Sequence, residues 1–132
     1  MRLTAFRFHQ WPRDPALLAD LGKVYDADTL ARLAATVSST KLLVTARFND
    51  HHLAAALLEL DGEPARLSQL VVREVTRRRG VGRFLVDEAA ALAAEAGAQR
   101  LQLCGLTDAA ATAFAAACGF TGEDYTLALI NP

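Results

Sequence analysis

Between Arg73 and Arg83 stand five arginines against a single acid, Glu74, and inside that stretch Arg77-Arg78-Arg79-Gly80-Val81-Gly82 places two glycines directly ahead of an amphipathic segment. Glycine tolerates positive φ and, having no Cβ, lets backbone N–H groups approach a ligand. The first turn of a helix supplies N–H groups with no partner of their own. Helix dipole and guanidinium groups add positive potential at the same place, and a diphosphate is the anion such a nest suits. The spacing is neither G-x-x-x-x-G-K-[ST] nor G-x-G-x-x-G, so other phosphate loops are not indicated. A merely solvated arginine-rich turn is the plain alternative. A nucleic-acid surface is another, but it would spread basic residues more widely than this chain does, at a net charge of -1. The position between a buried strand and a long helix favours a ligand site.

The elements that must hold this loop follow from periodicity and punctuation. Leu3 to Phe8 reads as a strand, and Asp14-Pro15 as a cap and first-turn proline of a helix that Gly22 closes. A second short helix is expected from Asp28 to Thr36. Lys41–Arg47 and Leu53–Leu60 read as strands joined through the turn residues Phe48-Asn49-Asp50-His51, and Asp61-Gly62-Glu63-Pro64 leads into a third, Ala65–Arg73. Its end, Leu70-Val71-Val72, is continuously apolar and should be buried on both faces. From Val81 the period becomes 3.6, with Val81, Leu85, Ala89, Leu92 and Ala96 on one stripe and Gly97 as the stop. A strand at Arg100–Cys104, a helix capped by Thr107 or Asp108, and a last strand near Tyr125–Ile130 complete the order β-α-α-β-β-β-α-β-α-β. No repeat or linker interrupts it, so one domain over residues 1–132 is expected, with α+β or mixed-sheet architecture.

Composition is consistent with this. With 132 residues, 52% hydrophobic and 22% charged, one globular domain can bury roughly two thirds of its unfolded surface. Cys104 and Cys118 form no C-x-x-C and have no histidines at ligand spacing, so two core thiols in a reducing compartment are expected, without metal or disulfide. No apolar run approaches the roughly 20 residues of a membrane span, and no signal sequence is evident. A cytoplasmic protein, binding neither nucleic acid nor membrane, is the expectation.

The arrangement Arg77-x-x-Gly80-x-Gly82 after a central strand resembles the acetyl-CoA motif of the GCN5-related N-acetyltransferase (GNAT) superfamily. Ala113-Phe114 and Gly119-Phe120 match that family's second half, and the resemblance is strongest from Leu67 to Phe120. It implies the GNAT (acyl-CoA N-acyltransferase) fold, a mixed central sheet flanked by helices, with acetyl-CoA or CoA as cofactor. The pantetheine arm would lie along Leu70, Val71 and Val72 where two strands splay. The pyrophosphate would rest on Thr76, Arg77, Arg78, Arg79, Gly80, Val81, Gly82 and Arg83. Within the superfamily, the run from Val72 to Gly82, the opening Met1-Arg2-Leu3-Thr4, and Ala46-Arg47-Phe48-Asn49 are similar to the PanM/PanZ family of aspartate α-decarboxylase maturation factors. That similarity implies a regulatory factor that binds the decarboxylase proenzyme, promotes its self-cleavage to the pyruvoyl form and regulates the mature form in β-alanine and pantothenate synthesis. Arg47, Asn49 and the arginine loop would face the partner.

The alternative implied by the same fold is an N-acetyltransferase acting on an amine of a small molecule or protein. Acetyl transfer needs a base for the amine and an acid for the thiolate. Many members of the superfamily carry a tyrosine after the phenylalanine of the penultimate helix, but here Phe114 is followed by Ala115. Glu59 and Glu74 are the nearest carboxylates, more naturally read as solvated or ion-paired, and Tyr125 could approach from the last strand. His51 and His52 read as exposed turn residues with no third metal ligand, and Cys104 as a buried, inert thiol. No catalytic residue stands out, which favours the regulatory reading.

Overall fold

The computed structural model describes residues 2–73 and 80–130. Its elements are β1 (Thr4–Phe8), α1 (Pro15–Val24), α2 (Ala27–Thr36), β2 (Lys41–Phe48), β3 (His51–Glu59), β4 (Ala65–Val72), α3 (Val81–Glu95), β5 (Arg100–Leu103), α4 (Ala109–Ala117) and β6 (Thr126–Ala128), in the expected order. The strands form one sheet in chain order β1-β2-β3-β4-β5-β6. Every neighbouring pair is antiparallel except β4 and β5. A parallel neighbour cannot be reached by a tight turn, and α3 provides the crossover. The sheet is therefore mixed and the class α+β. Among the described residues no helix is long and apolar enough to cross a membrane.

Local chemistry explains the helix starts. Asp14 accepts the Ala16 N–H at 3.1 Å with Pro15 in the first turn, Asp26 accepts Thr29 N–H at 2.8 Å, and Asp108 accepts Ala111 N–H at 2.7 Å. Asp108 thus decides between the two expected caps of α4, and Asp26 starts α2 slightly earlier than expected. Gly22 does not end α1. The helix continues to Val24 because Leu21 and Tyr25 are drawn into the core while Gly22 lies on the exposed side.

Alternation along β2 and β3 divides the core between two faces. Leu42, Val44, Ala54, Ala56 and Leu58 pack with Val81, Leu85, Val86, Ala89 and Ala93 of α3. Leu43, Ala55 and Leu57 pack with Leu17 and Leu21 of α1, Tyr25, and Leu33 of α2. The buried stripe of α3 ends on Ala93, and Ala96 is exposed because the helix stops at Glu95.

Candidate functional site

β4 and β5 stay together only briefly. Their parallel register covers Ala65↔Leu101, Arg66↔Gln102 and Leu67↔Leu103, and the last link is Cys104 N–H donating to the Leu67 carbonyl at 2.9 Å. β5 then ends, while β4 runs on to Val72. The edge from Ser68 to Val72 faces a cleft of about 920 Å³ closed on its other sides by the head of α3, the segment after β5, and Phe114 of α4. Leu70, Val71 and Val72 are only half-buried. The expectation that both their faces are covered fails because this edge is a cleft wall.

A bulge accompanies the splay. The β3–β4 register passes from Ala55↔Val71 to Leu57↔Ser68, two steps on β3 against three on β4. Gln69 lies in the extra turn of chain with φ 54, a left-handed conformation that costs a non-glycine residue roughly 1–2 kcal/mol. Bulges of this kind bend a strand and interrupt its pairing. The Tyr25 hydroxyl donates to the Gln69 carbonyl at 2.6 Å, and burial raises the phenol's pKa so that it remains a donor.

At the cleft's other end α3 begins on Gly80, which adopts φ 79 and ψ 7 and gives no side-chain cap. The first turn contains no acid, so the positive end of the helix dipole is not neutralised from within. Gly82 lets α3 pack closely: a Cβ there would stand 3.2 Å from Phe114 Cε1 and 3.5 Å from Val72 Cγ2, so the Phe114 ring would have to give way by a few tenths of an ångström. The bare helix head is thereby held against β4. Arg83 lines the cleft and also donates from Nη1 to the Ala117 carbonyl at 3.0 Å, at the last turn of α4. Of the expected anion-binding residues, Gly80, Val81, Gly82 and Arg83 meet Leu70, Val71 and Val72 around one cleft. Thr76, Arg77, Arg78 and Arg79, together with Glu74, lie outside the described residues.

The other chemical candidates fall elsewhere. Glu59 stands opposite Arg66 beyond the closed end of the splay. Tyr125, at φ 51, packs on the α3 side of the core, and its carbonyl accepts the Leu103 N–H at 3.0 Å. Neither is among the described residues lining the cleft. Asp108 is the acid in that lining, and its carboxylate is engaged as the cap of α4. Cys104 is not the buried core thiol expected: it is half-buried and forms part of the cleft wall, and burial raises its pKa. Cys118 is likewise half-buried.

The β2–β3 hairpin closes at Phe48↔His51, leaving Asn49 and Asp50 exposed at its tip, with Asn49 at φ 56. Arg47 lies with its guanidinium carbon 4.7 Å from the Phe6 ring centroid, a cation–π arrangement. His52 corrects the expectation of two exposed histidines. His51 is exposed, but His52 points inward at 8% exposure, its Nδ1 2.8 Å from Thr45 Oγ1. Sequence reasoning also missed Asp20, which is 4% exposed, accepts the His52 N–H at 2.9 Å and lies 3.2 Å from His51 Nδ1. An acid on the stripe of Leu17 and Leu21 was the available signal. Through it α1 grips β3 where that strand leaves the hairpin turn.

These contacts carry a pH dependence. Burial raises the Asp20 carboxyl, but the hydrogen bonds from His52 N–H and His51, with the charge of both imidazoles, outweigh it and leave the group below the usual carboxylate range. Burial depresses His52 and Arg47 adds to this, against the opposing pull of Asp20. Each depressed group stabilises the fold fully above its unfolded pKa and loses that contribution as pH falls through its folded one. Urea midpoints should therefore begin to fall below about pH 6.5 from His52 and drop again below about pH 4 from Asp20. His52→Gln should remove the first decline, and a wild-type midpoint flat between those two values would contradict this assignment.

The register places the hairpin and the cleft's mouth together. Val72 lies beside Ala54, and Arg73 N–H donates to the Leu53 carbonyl at 2.8 Å. The strand end that leads to the arginine stretch is thus at the same end of the sheet as the Asn49 turn.

Comparison with known proteins gives concordant matches. A family model described as the PanZ acetyltransferase (GNAT) domain matches residues 9–127. A Salmonella typhimurium protein named PanD regulatory factor is 39% identical over 88 residues, 67% of this chain and 66% of that protein, slightly under two thirds of its length. The protein of the same name from Escherichia coli is 34% identical over 124 residues, 93% of this chain and 94% of that one. Among solved structures, the Escherichia coli protein YhhK, determined in solution bound to coenzyme A, aligns with a TM-score of 0.74 at 33% identity, covering 96% of each chain. A GNAT family acetyltransferase from Elizabethkingia anophelis with acetyl-CoA bound aligns with a TM-score of 0.70 at 18% identity, over 92% of this chain and 78% of that one. The latter likeness is one of fold.

Proposed function

The chain belongs to the PanZ family of GNAT domains, and from that premise we propose that it is an acetyl-CoA-binding regulatory factor of aspartate α-decarboxylase. It binds the proenzyme, promotes self-cleavage to the pyruvoyl form and regulates the mature enzyme. The observation that carries this reading is the shared location of two features at one end of the sheet: the mouth of the cleft at Val72 and Gly82, and the exposed hairpin turn at Asn49. A ligand held at the first contributes to, or orders, a surface continuous with the second.

The residues present fit acetyl-CoA or CoA. The edge of β4 that lines the cleft from Ser68 to Val72 presents its backbone to a pantetheine arm, in the manner of an added strand. The head of α3 at Gly80, Val81, Gly82 and Arg83, whose N-cap glycine has no side chain, offers N–H groups and positive potential to the diphosphate, and Thr76, Arg77, Arg78 and Arg79 would supply the rest of that cradle. When bound, the cofactor supplies a thioester. Arg47 and Asn49 provide the partner contacts, with Arg47 steadied by Phe6.

Acetyl transfer is the competing activity, with Glu59, Glu74 or Tyr125 as its acid and base. The lining favours regulation instead, because Asp108 is committed to a helix cap, and Ala115, which follows Phe114, is fully buried. The two readings separate when the protein is offered acetyl-CoA and a panel of amines. A regulator gives saturable calorimetric binding without release of CoA thiol; amine-dependent thiol release would overturn the regulatory reading.

A further inference from the structure

Phe6, on the outer strand β1, lies beside Thr45 in register, and Arg47 lies beside His52. Contacts join all four. The Arg47 guanidinium carbon stands 4.7 Å from the Phe6 ring centroid, and the His52 imidazole lies 5.4 Å from the same ring, centroid to centroid, tilted by 58°. An aromatic ring attracts a nearby cation, so Arg47 has that attraction without a rival as long as His52 is neutral. His52 is itself pinned: Thr45 Oγ1 stands 2.8 Å from its Nδ1, and Asp20 accepts its backbone N–H at 2.9 Å. At 8% exposure the imidazole cannot swing out to solvent without breaking its contact with Thr45. A proton taken up there stays beside Phe6.

The charged groups that face His52 come from α1 with its cap, from β2 and from β3. Burial opposes a charge on His52 most strongly; Asp20 favours one, Arg47 opposes it, Asp14 favours it and His51 opposes it. An imidazolium at this place repels Arg47 and competes with it for the ring. Arg47 is half-buried and stands two residues before the exposed Asn49, so its position shapes the face that the hairpin offers. We propose that His52 is a pH sensor for that face: protonation of its imidazole drives Arg47 off the Phe6 ring, so that the hairpin holds the decarboxylase while His52 is neutral and releases it when His52 is charged. This rests on the partner reading of Arg47 and Asn49 and adds a regulatory input that is separate from the acetyl-CoA cleft.

The test is titration of the decarboxylase, at saturating acetyl-CoA, with wild type and with His52→Gln between about pH 8 and about pH 5.5, a range that spans the ordinary histidine value. Titrations of the decarboxylase itself are common to both proteins, so the difference between them isolates His52. Wild type should weaken by roughly fivefold or more relative to His52→Gln as the pH falls. Parallel profiles, or a wild-type complex that tightens relative to the variant, would overturn the proposal. Should the variant fold poorly, the Arg47 side-chain N–H of 15N-labelled wild type provides the second measurement. It should leave its ring-shifted position with the same midpoint as the His52 ring protons, and an Arg47 signal indifferent to that midpoint would overturn the proposal. Absence of any complex at about pH 8 sinks the partner reading and the docking role with it, whereas the Arg47 signal of the free protein decides the coupling to His52 independently.

Discussion

Gly82→Trp abolishes acetyl-CoA binding while leaving a folded protein. A Cβ at this position already stands 3.2 Å from Phe114 Cε1 and Cζ, so an indole must displace that ring or project across the head of α3. Either way it covers the first-turn amides and enters the space a diphosphate would occupy. Losing two charge-assisted hydrogen bonds at roughly 1.5 kcal/mol each weakens binding by at least about a hundredfold. The helix itself does not suffer, because tryptophan has higher helix propensity than glycine. Calorimetry for affinity and circular dichroism for fold check the two halves of the result. Undiminished acetyl-CoA binding by a folded Gly82→Trp protein would remove the diphosphate from this helix head.

Asn49→Gly separates the decarboxylase complex from the cofactor complex. Asn49 occupies φ 56 at the exposed hairpin tip, and glycine adopts that conformation without penalty. The substitution therefore deletes the carboxamide and leaves the turn in place. Asn49→Ala deletes the same group but adds roughly 1 kcal/mol or more of left-handed strain, so comparison of the two variants isolates the side chain. If Asn49 is a central contact, both weaken the decarboxylase complex by about 30-fold, the loss of a 2 kcal/mol hot spot, with acetyl-CoA affinity unchanged. Gel-filtration and calorimetric titration against the decarboxylase measure this. Wild-type affinity in Asn49→Gly would place the partner surface elsewhere.

The order of elements was legible because each boundary carries local chemistry. Asp14-Pro15 and Asp108 cap helices through their own neighbours, and the change of period at Val81 marks α3 without reference to the rest of the molecule. What was not legible is non-local. Gly22 has the residue type of a stop, yet the burial of Leu21 and Tyr25 carries the helix past it. His52 and Asp20 look like surface residues until the hairpin is laid on α1, where each satisfies part of the other's environment. The arginine-glycine stretch drew attention to the right end of β4, but the cleft itself depends on three facts of register: β5 ending at Leu103, the extra residue near Gln69, and Tyr25 reaching the bulge from the far side. No spacing of residue types encodes those.

The regulatory account also explains why this cleft can be well formed while the described residues around it offer no uncommitted acid. A factor that holds acetyl-CoA as a signal needs a complementary anion cradle, a free strand edge and a surface beside them. It has no need of a base for an amine. Regulation by cofactor requires the partner to see a difference between loaded and empty protein, and the nearness of the Asn49 turn to the mouth of the cleft is where that difference would be read.

The most direct measurement is cleavage of the aspartate α-decarboxylase proenzyme from the same organism, mixed with this protein, with and without acetyl-CoA, followed by the appearance of the two chain fragments. The account predicts acceleration only when protein and acetyl-CoA are both present, and none with Gly82→Trp. Cleavage at the unassisted rate in the presence of a preparation that binds acetyl-CoA would contradict it.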